Sequence, residues 1–553
     1  MTTIMNPSVR GSGKITGVFF NAAADVAAVA SEFPLLANPR ARASYGGRAL
    51  RYRVALYRRD SRIPFAAFDD LLHPVHDVDF HPTGSSIAIG AGSYDGGYCF
   101  EGDLLVWNWL EKHGNRPFNH VPEVLRCRFN AAGDELEAWV RPWDEEWGLP
   151  ADAEDASDAA FNTLFAVRAK SPGASTGSVD LVIDPANIAP CDVAPKTSHP
   201  PESRLAEWFG ETHWISRGAI NDIAWLDSCR IAVAHAGCQL EIYATTGERI
   251  AAYAGAGGHG SEILRAQGLH VHVVESSQPR SWEQHSRLCA LTSEGLRQTH
   301  AWNGEYTFSV SATGVALGRQ NRSHHARKRA HDLLVDLNTG AERRVDLGHY
   351  DCFNHYVGIR GAPFLFLLQG TPASSHERKV LCIVQPDGQV QRLWPVLKAD
   401  DTPASHAMEL CGSYVEDTEG AGVVISGQHY SPTVDGNYAG FIYRKPLNRD
   451  SEQWRHQTRA SASAIVYLPA SGLIAAAFLD GGLLLIEART GAVVLDAQVH
   501  VDGLPTVIYA MDAHDDKLAV GTLDGRIAIL AADALRTAPA AGNKTERHVV
   551  NLD

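Results

Sequence analysis

His270 and His272 stand two residues apart in the run LHVHVV. In a strand that spacing turns both imidazoles to the same face, an arrangement that zinc sites use. His285 is the third residue that could join such a set. The plainer reading is a pair of half-exposed strand histidines, and no metal or other cofactor is expected. A second cluster, RSHHARKRAH, concentrates Arg327, Lys328 and Arg329 in a chain whose net charge is −15. Adjacent cations oppose a metal there but suit an acidic partner or a phosphate; otherwise the run is a solvated hairpin loop.

The third group lies in long loops between apolar runs. SYDGGYCFEG carries Tyr94, Asp95, Tyr98 and Glu101, and QHYSPTVDGNY carries His429, Tyr430, Asp435 and Tyr438. Tyrosine among small polar neighbours offers a large contact area at low entropy cost, which is recognition chemistry. Asp95, Glu101 and Asp435 could instead pair as carboxylates of a hydrolase or lyase, the alternative to a binding role. Other catalytic signatures fail on spacing. GASTG at 173–177 is not a nucleophile elbow. GAGGHGS at 255–261 lacks the Gly-Lys-Ser/Thr ending of a phosphate loop.

The elements that must hold these loops read as short strands. Val75 to Trp109 contains VHDVDF, SSIAIGAG and DLLVWNW, with alternating apolar residues and a Pro-Thr-Gly turn. The rhythm recurs along the chain. It is clear in AINDIAWLDSCRIAVAHAGCQLEIYATTGERIAAY, in the unit from Ala464 to Val499, and in TVIYAMDAHDDKLAVGTLDGRIAILAA. Asp480-Gly481 and Asp524-Gly525 predict type I′ hairpin turns. A four-stranded unit exposes two sheet faces, and radial stacking of such units protects them. The expected fold is therefore all-β: a β-propeller of roughly seven to ten four-stranded blades over residues 1–536, in one ring rather than two. Insertions are expected near 143–160, 185–214 and 255–300, and 537–553 is a tail that could close the ring.

The form V-x-x-V-x-F-x-P-x-G…I-A-x-G…L-x-V-W resembles a blade of the WD-repeat-like β-propellers. The family's Trp-Asp ending is altered to Trp107-Asn108, and the equivalent positions elsewhere are Ile242-Tyr243, Val335-Asp336 and Ile486-Glu487. Gly92 to Trp109 also resembles the bacterial propeller proteins associated with a MoxR-type ATPase and a von Willebrand A domain protein. The resemblance implies a non-enzymatic scaffold or recognition module in a conflict or chaperone system, with those two proteins as partners.

Composition narrows the setting. An acidic chain with pI about 5.9 lacks the overall positive charge that nucleic-acid binding draws on. Nine cysteines form no CxxC pair, which fits a reducing compartment. The first residues include no apolar signal region, and no apolar run is long enough for a membrane span, so a cytoplasmic location is expected.

Overall fold

A computed structural model describes residues 2–5, 9–21, 23–34, 50–94, 100–141, 164–170, 178–184, 186–189, 201–210, 219–235, 238–253, 258–265, 271–277, 285–304, 306–320, 332–347, 358–369, 380–396, 407–429, 440–536 and 547–552. Among them two short helices, Pro201–Trp208 and Ala532–Arg536, accompany ten β-sheets, most of them four-stranded and antiparallel. The chain divides into two compact units. One comprises Ser8–Phe33 and Leu50–Ser216; the other comprises Met1–Pro7, Pro34–Ala49 and Arg217–Asp553.

The smaller unit holds three sheets. The first contains Lys14–Asn21, Val26–Pro34, Leu50–Arg58 and Ala66–Leu71. The second contains Val75–Phe80, Ser86–Tyr94, Phe100–Asn108 and His113–Asn115. The third contains Val124–Phe129, Glu135–Val140, Leu164–Lys170 and Ile188–Ala189. Leu56, Val54, Ile87 and Trp107 fill the space between the first and second sheets. Ala88, Leu104, Leu136 and Phe165 do so between the second and third. The helix Pro201–Trp208, in a stretch expected to be an insertion, covers the first sheet by burying Leu205 against Val18, Val29 and Tyr57.

The larger unit holds seven sheets. The fourth sheet contains Ile220–Asp227, Arg230–His235, Cys238–Ala244 and Arg249–Tyr253. The fifth contains Gly258–Leu264, His272–Ser277, His285–Thr292 and Gly295–Asn303, so the region expected as an insertion near 255–300 is a regular sheet. The sixth runs over Tyr306–Val345 and the seventh over Leu365–Pro395. Gly358–Arg360 does not join the seventh sheet. It pairs in parallel with the first strand of the eighth, Ala407–Asp417, which continues to Thr458. The ninth starts with Ala462–Leu468 and the tenth with Ile508–His514.

Neighbouring sheets share apolar clusters in strict order. Ala232, Ile263 and Val273 join the fourth and fifth; Val274, Leu288 and Phe308 join the fifth and sixth. Leu317, Leu334 and Leu367 come next, then Phe366, Trp394 and Val423, then Val424, Ile442 and Ile474, then Leu485, Met511 and Val520. The tenth sheet packs back on the fourth through Ala510, Ala519 and Ile527 against Ile223 and Trp225. Central strands such as LIAAAF are therefore buried on both faces and read as continuous apolar runs. Outer strands add polar stitches. The indole N–H groups of Trp302, Trp394 and Trp454 donate to Glu342, the Pro446 carbonyl and the Ala488 carbonyl at 2.8, 3.2 and 2.8 Å.

One irregularity recurs in both units. The pairing of first and second strands slips by one residue between Ile15 and Gly17, Val75 and Asp77, Val124 and Arg126, Ile220 and Asp222, and Gly260 and Glu262. The same slip falls between Glu409 and Cys411, Ala462 and Ala464, and Ile508 and Ala510. Each is a β-bulge, which bends the strand and increases its twist. The Asp-Gly turns differ from expectation. Gly481 and Gly525 take positive φ (80° and 87°), but Asp480 and Asp524 do not, so neither turn is type I′. The Asp480 carboxylate accepts the Gly482 N–H at 3.0 Å instead, stabilising a different turn.

Both ends of the chain join sheets of the larger unit. Thr2–Met5 is the fourth strand of the tenth sheet, antiparallel to Ile527–Ala531. The tail contributes His548–Asn551, which pairs with Val493–Val501 of the ninth sheet. Removing residues 1–5 unpairs one edge of the tenth sheet. With a few backbone hydrogen bonds lost, urea unfolding should shift to lower concentration by about 2–4 kcal/mol of stability. An unchanged midpoint would contradict this role for the strand.

Candidate functional site

A first strand pairs with its own sheet along one edge only, so its other edge presents N–H groups that need acceptors. Carboxylates just beyond the bulges of the neighbouring first strands supply them. Asp222 Oδ2 accepts the Ile263 N–H at 2.7 Å, and Asp512 Oδ2 accepts the Trp225 N–H at 2.8 Å. Glu262 Oε2 accepts the Phe308 N–H at 2.7 Å. The smaller unit repeats the device, with Asp77 accepting from Cys127 at 3.0 Å and Asp79 from Phe129 at 2.8 Å. Serine does the same elsewhere: Ser286 Oγ accepts from Tyr306, and Ser426 Oγ from Ala462, both at 2.9 Å.

In the larger unit these acids meet two arginines. Arg360, at the end of the short parallel strand, places Nη2 2.7 Å from Asp222 Oδ1, although 138 residues separate the two in sequence. Half of the Arg360 side chain remains accessible, while Asp222 is buried. Arg265 approaches Asp512 at 3.4 Å. Asp222 holds the Arg360 guanidinium above its ordinary range, and Asp512 and Glu262 act in the same direction against burial. Burial lifts the Asp512 carboxyl above its ordinary range; the Trp225 N–H and the two arginines oppose that lift. Burial likewise raises Asp79, against the Phe129 N–H and Arg128. Three carboxylates and two guanidinium groups thus converge on the first strands of the larger unit, with an oxygen of each acid bonded to backbone.

The residues picked out by sequence are placed differently. Tyr94 ends its strand opposite Phe100, and Glu101 pairs with Ser93 in the adjacent strand. The Glu101 side chain is exposed, 3.9 Å from His73. Asp95 and Tyr98 lie outside the described residues, as do Tyr430, Asp435 and Tyr438, and Arg327, Lys328 and Arg329. His429 ends its strand opposite Ala407. His272 is opposite Ala290, whereas His285 sits beyond the other end of the same ladder, past the pair Ser276 and Ser286. Five ladder positions separate them, an odd number, so they face opposite sides and do not converge. His270 lies outside the described residues. Among the described residues no group of three or more His, Cys, Asp or Glu could hold a metal ion.

Asp222, Glu262, Asp512, Arg265 and Arg360 escaped the sequence reading. A signal for the acids exists in HDVDF, NDIAW, SEILR and MDAH: a carboxylate recurs near one place in the first strand of several units. No protein-family model matches the chain, and a search of curated proteins finds no match. Among the described residues no helix is long and apolar enough to cross a membrane.

Replacing Asp512 with Ala orphans the Trp225 N–H and should cost about 1–3 kcal/mol, whereas Asp512→Asn keeps an acceptor and should cost less. The sign with pH follows from the raised carboxyl. The folded protein takes up this proton more readily than the unfolded chain, so stability relative to Asp512→Asn should grow as pH falls towards the ordinary carboxyl range. Urea midpoints of the three proteins at pH 7 and pH 5 check both statements. A difference that shrinks on acidification contradicts the second.

Proposed function

We propose that the chain is a WD-repeat-like β-propeller protein that works as a non-enzymatic interaction scaffold. The packing order of the larger unit supports a seven-bladed ring, since the tenth sheet adjoins the fourth and the first strand of the chain completes the tenth sheet. On this reading the three-sheet unit is inserted in sequence between the closing strand and the first blade of the ring. The first-strand carboxylates are committed to backbone N–H groups and arginines, which favours scaffold over a hydrolase with free carboxylates at the ring centre.

The observation that carries a recognition role is the stem of the 93–102 loop. A Cβ on Gly92 would stand 2.5 Å from the Glu123 Cα, and one on Gly102 would stand 2.2 Å from the Pro122 carbonyl oxygen. Gly92 N–H donates to Pro74 and Gly102 N–H to Val121, at 3.0 and 2.9 Å. Glu123 itself is gripped by His76 and Arg141, each at 2.9 Å. The two ends of the loop are thus held, one at Pro74 and both against the 121–123 segment, which suits a stem that supports Tyr94, Asp95, Tyr98 and Glu101 as a partner surface. The resemblance of Gly92 to Trp109 points to a MoxR-type ATPase and a von Willebrand A domain protein as those partners. Cys127, Cys229 and Cys411 are free thiols, in keeping with a cytoplasmic setting.

The tagged protein purified from its native cells should co-elute with those two proteins, as read by mass spectrometry. Changing both Tyr94 and Tyr98 to Ala should reduce their recovery about tenfold or more, the effect of losing two interface aromatics. Recovery of the protein alone, or recovery unaffected by the double change, argues against this surface.

A further inference from the structure

The last residues of the chain occupy a shaped site on the outer edge of the ninth sheet. Ala497 to His500 pair in parallel with His548 to Asn551, and Leu552 N–H donates to the His500 carbonyl at 3.0 Å. Side chains alternate along this strand: Val549 is exposed, while Val550 and Leu552 enter the apolar cluster of the ninth and tenth sheets. Ahead of them the Arg547 guanidinium reaches Asp480 at 3.1 Å, Asp496 at 2.9 Å and the Gln498 side-chain oxygen at 3.3 Å. Gly482 makes room for it, because a Cβ there would stand 2.6 Å from Arg547 Nη1.

Three kinds of recognition therefore converge on one edge: a backbone ladder, an acidic socket for one guanidinium, and two apolar holes. Together they are the ingredients of strand addition to a sheet edge, in which the ladder supplies affinity and alternate side chains supply specificity. Ten residues, 537–546, join the occupant to the helix Ala532–Arg536. Ten residues of chain can span about 33–36 Å, so covalent connection does not force the strand onto this edge.

We propose that the outer edge of the ninth sheet is a peptide-binding groove filled in cis by residues 547–552, which act as a displaceable strap. Its ligand class is an extended peptide with arginine followed, three and five positions on, by aliphatic residues. Such a peptide competes with the strap for the acidic socket and the apolar holes. The inference is independent of the loops invoked for partner recognition.

The test uses the full chain and a fluorescein-labelled peptide with the sequence of residues 545–553, followed by fluorescence anisotropy. Arg547→Ala weakens the strap, so this variant should bind the peptide about tenfold or more tightly than the unaltered chain. A peptide with alanine in place of its arginine should lose about tenfold on the same variant, as expected for charge-assisted bonds. Equal binding to both proteins, no binding to the folded variant, or indifference to the peptide's arginine overturns the proposal. Hydrogen exchange in the unaltered protein provides a test that needs no variant. The Leu552 amide should exchange at least about a hundredfold faster than that of Leu485 in the core, through local opening. Equal rates would make the tail part of the cooperative core and sink the idea.

Discussion

A β-strand that begins a four-stranded sheet leaves one edge of its backbone unpaired, and the architecture answers that fact repeatedly. Water cannot serve those N–H groups where sheets pack face to face, and an unpaired buried donor costs about 1–3 kcal/mol. The acceptors are short carboxylates and serines on adjacent sheets: Asp77, Asp79, Asp222, Glu262, Asp512, Ser286 and Ser426. Each bond spans a sheet-to-sheet boundary, so the same interaction that satisfies a donor also fixes the spacing of neighbouring sheets. The bulge that precedes Asp77, Asp222 and Glu262 shifts the pairing register at that point, next to the acceptor.

Buried and half-buried carboxylates need compensation of their own, and its form differs between places. Asp222 has Arg360 as well as two backbone N–H groups, from Ile223 and Ile263. Asp512 has a longer contact to Arg265, and burial still dominates its proton affinity. Away from the first strands, Arg444 is almost fully buried and forks onto Asp417 at 2.6 and 3.0 Å, while Arg526 bridges Asp502 and Asp524. Removing one partner of such a pair strands the other, so these contacts constrain the fold more than they strengthen it. Aliphatic clusters between the sheets carry the larger share of the stabilisation, through area removed from water.

Glycines define where chain may approach chain. Gly92 and Gly102 let the 121–123 segment lie directly on the stem of one loop, and Gly482 opens the socket for Arg547. In both cases a missing Cβ is what allows a polar side chain, Glu123 or Arg547, to reach several partners at once. Close approaches on this chain are thus set by where a Cβ is missing as much as by the side chains around them.

Apolar alternation, turn residues and repeat spacing made the all-β class and many strands legible in the sequence, because those signals are local. The units ending in Tyr253, Val499 and Ala531 are read correctly from pattern alone. The fifth sheet was legible only as a degenerate unit or an insertion, since its first strand, GHGSEIL, has too few alternating apolar residues to announce itself. Division into two units, the return of the tenth sheet to the fourth, and the placement of both chain ends depend on pairings across hundreds of residues. Nothing in a local window encodes them. The same holds for the charge cluster: Asp222 and Arg360 are ordinary strand residues until the larger unit brings them within 2.7 Å. Two residues can also share a sheet, as His272 and His285 share the fifth, yet strand register, set only when the sheet assembles, decides which face each one takes.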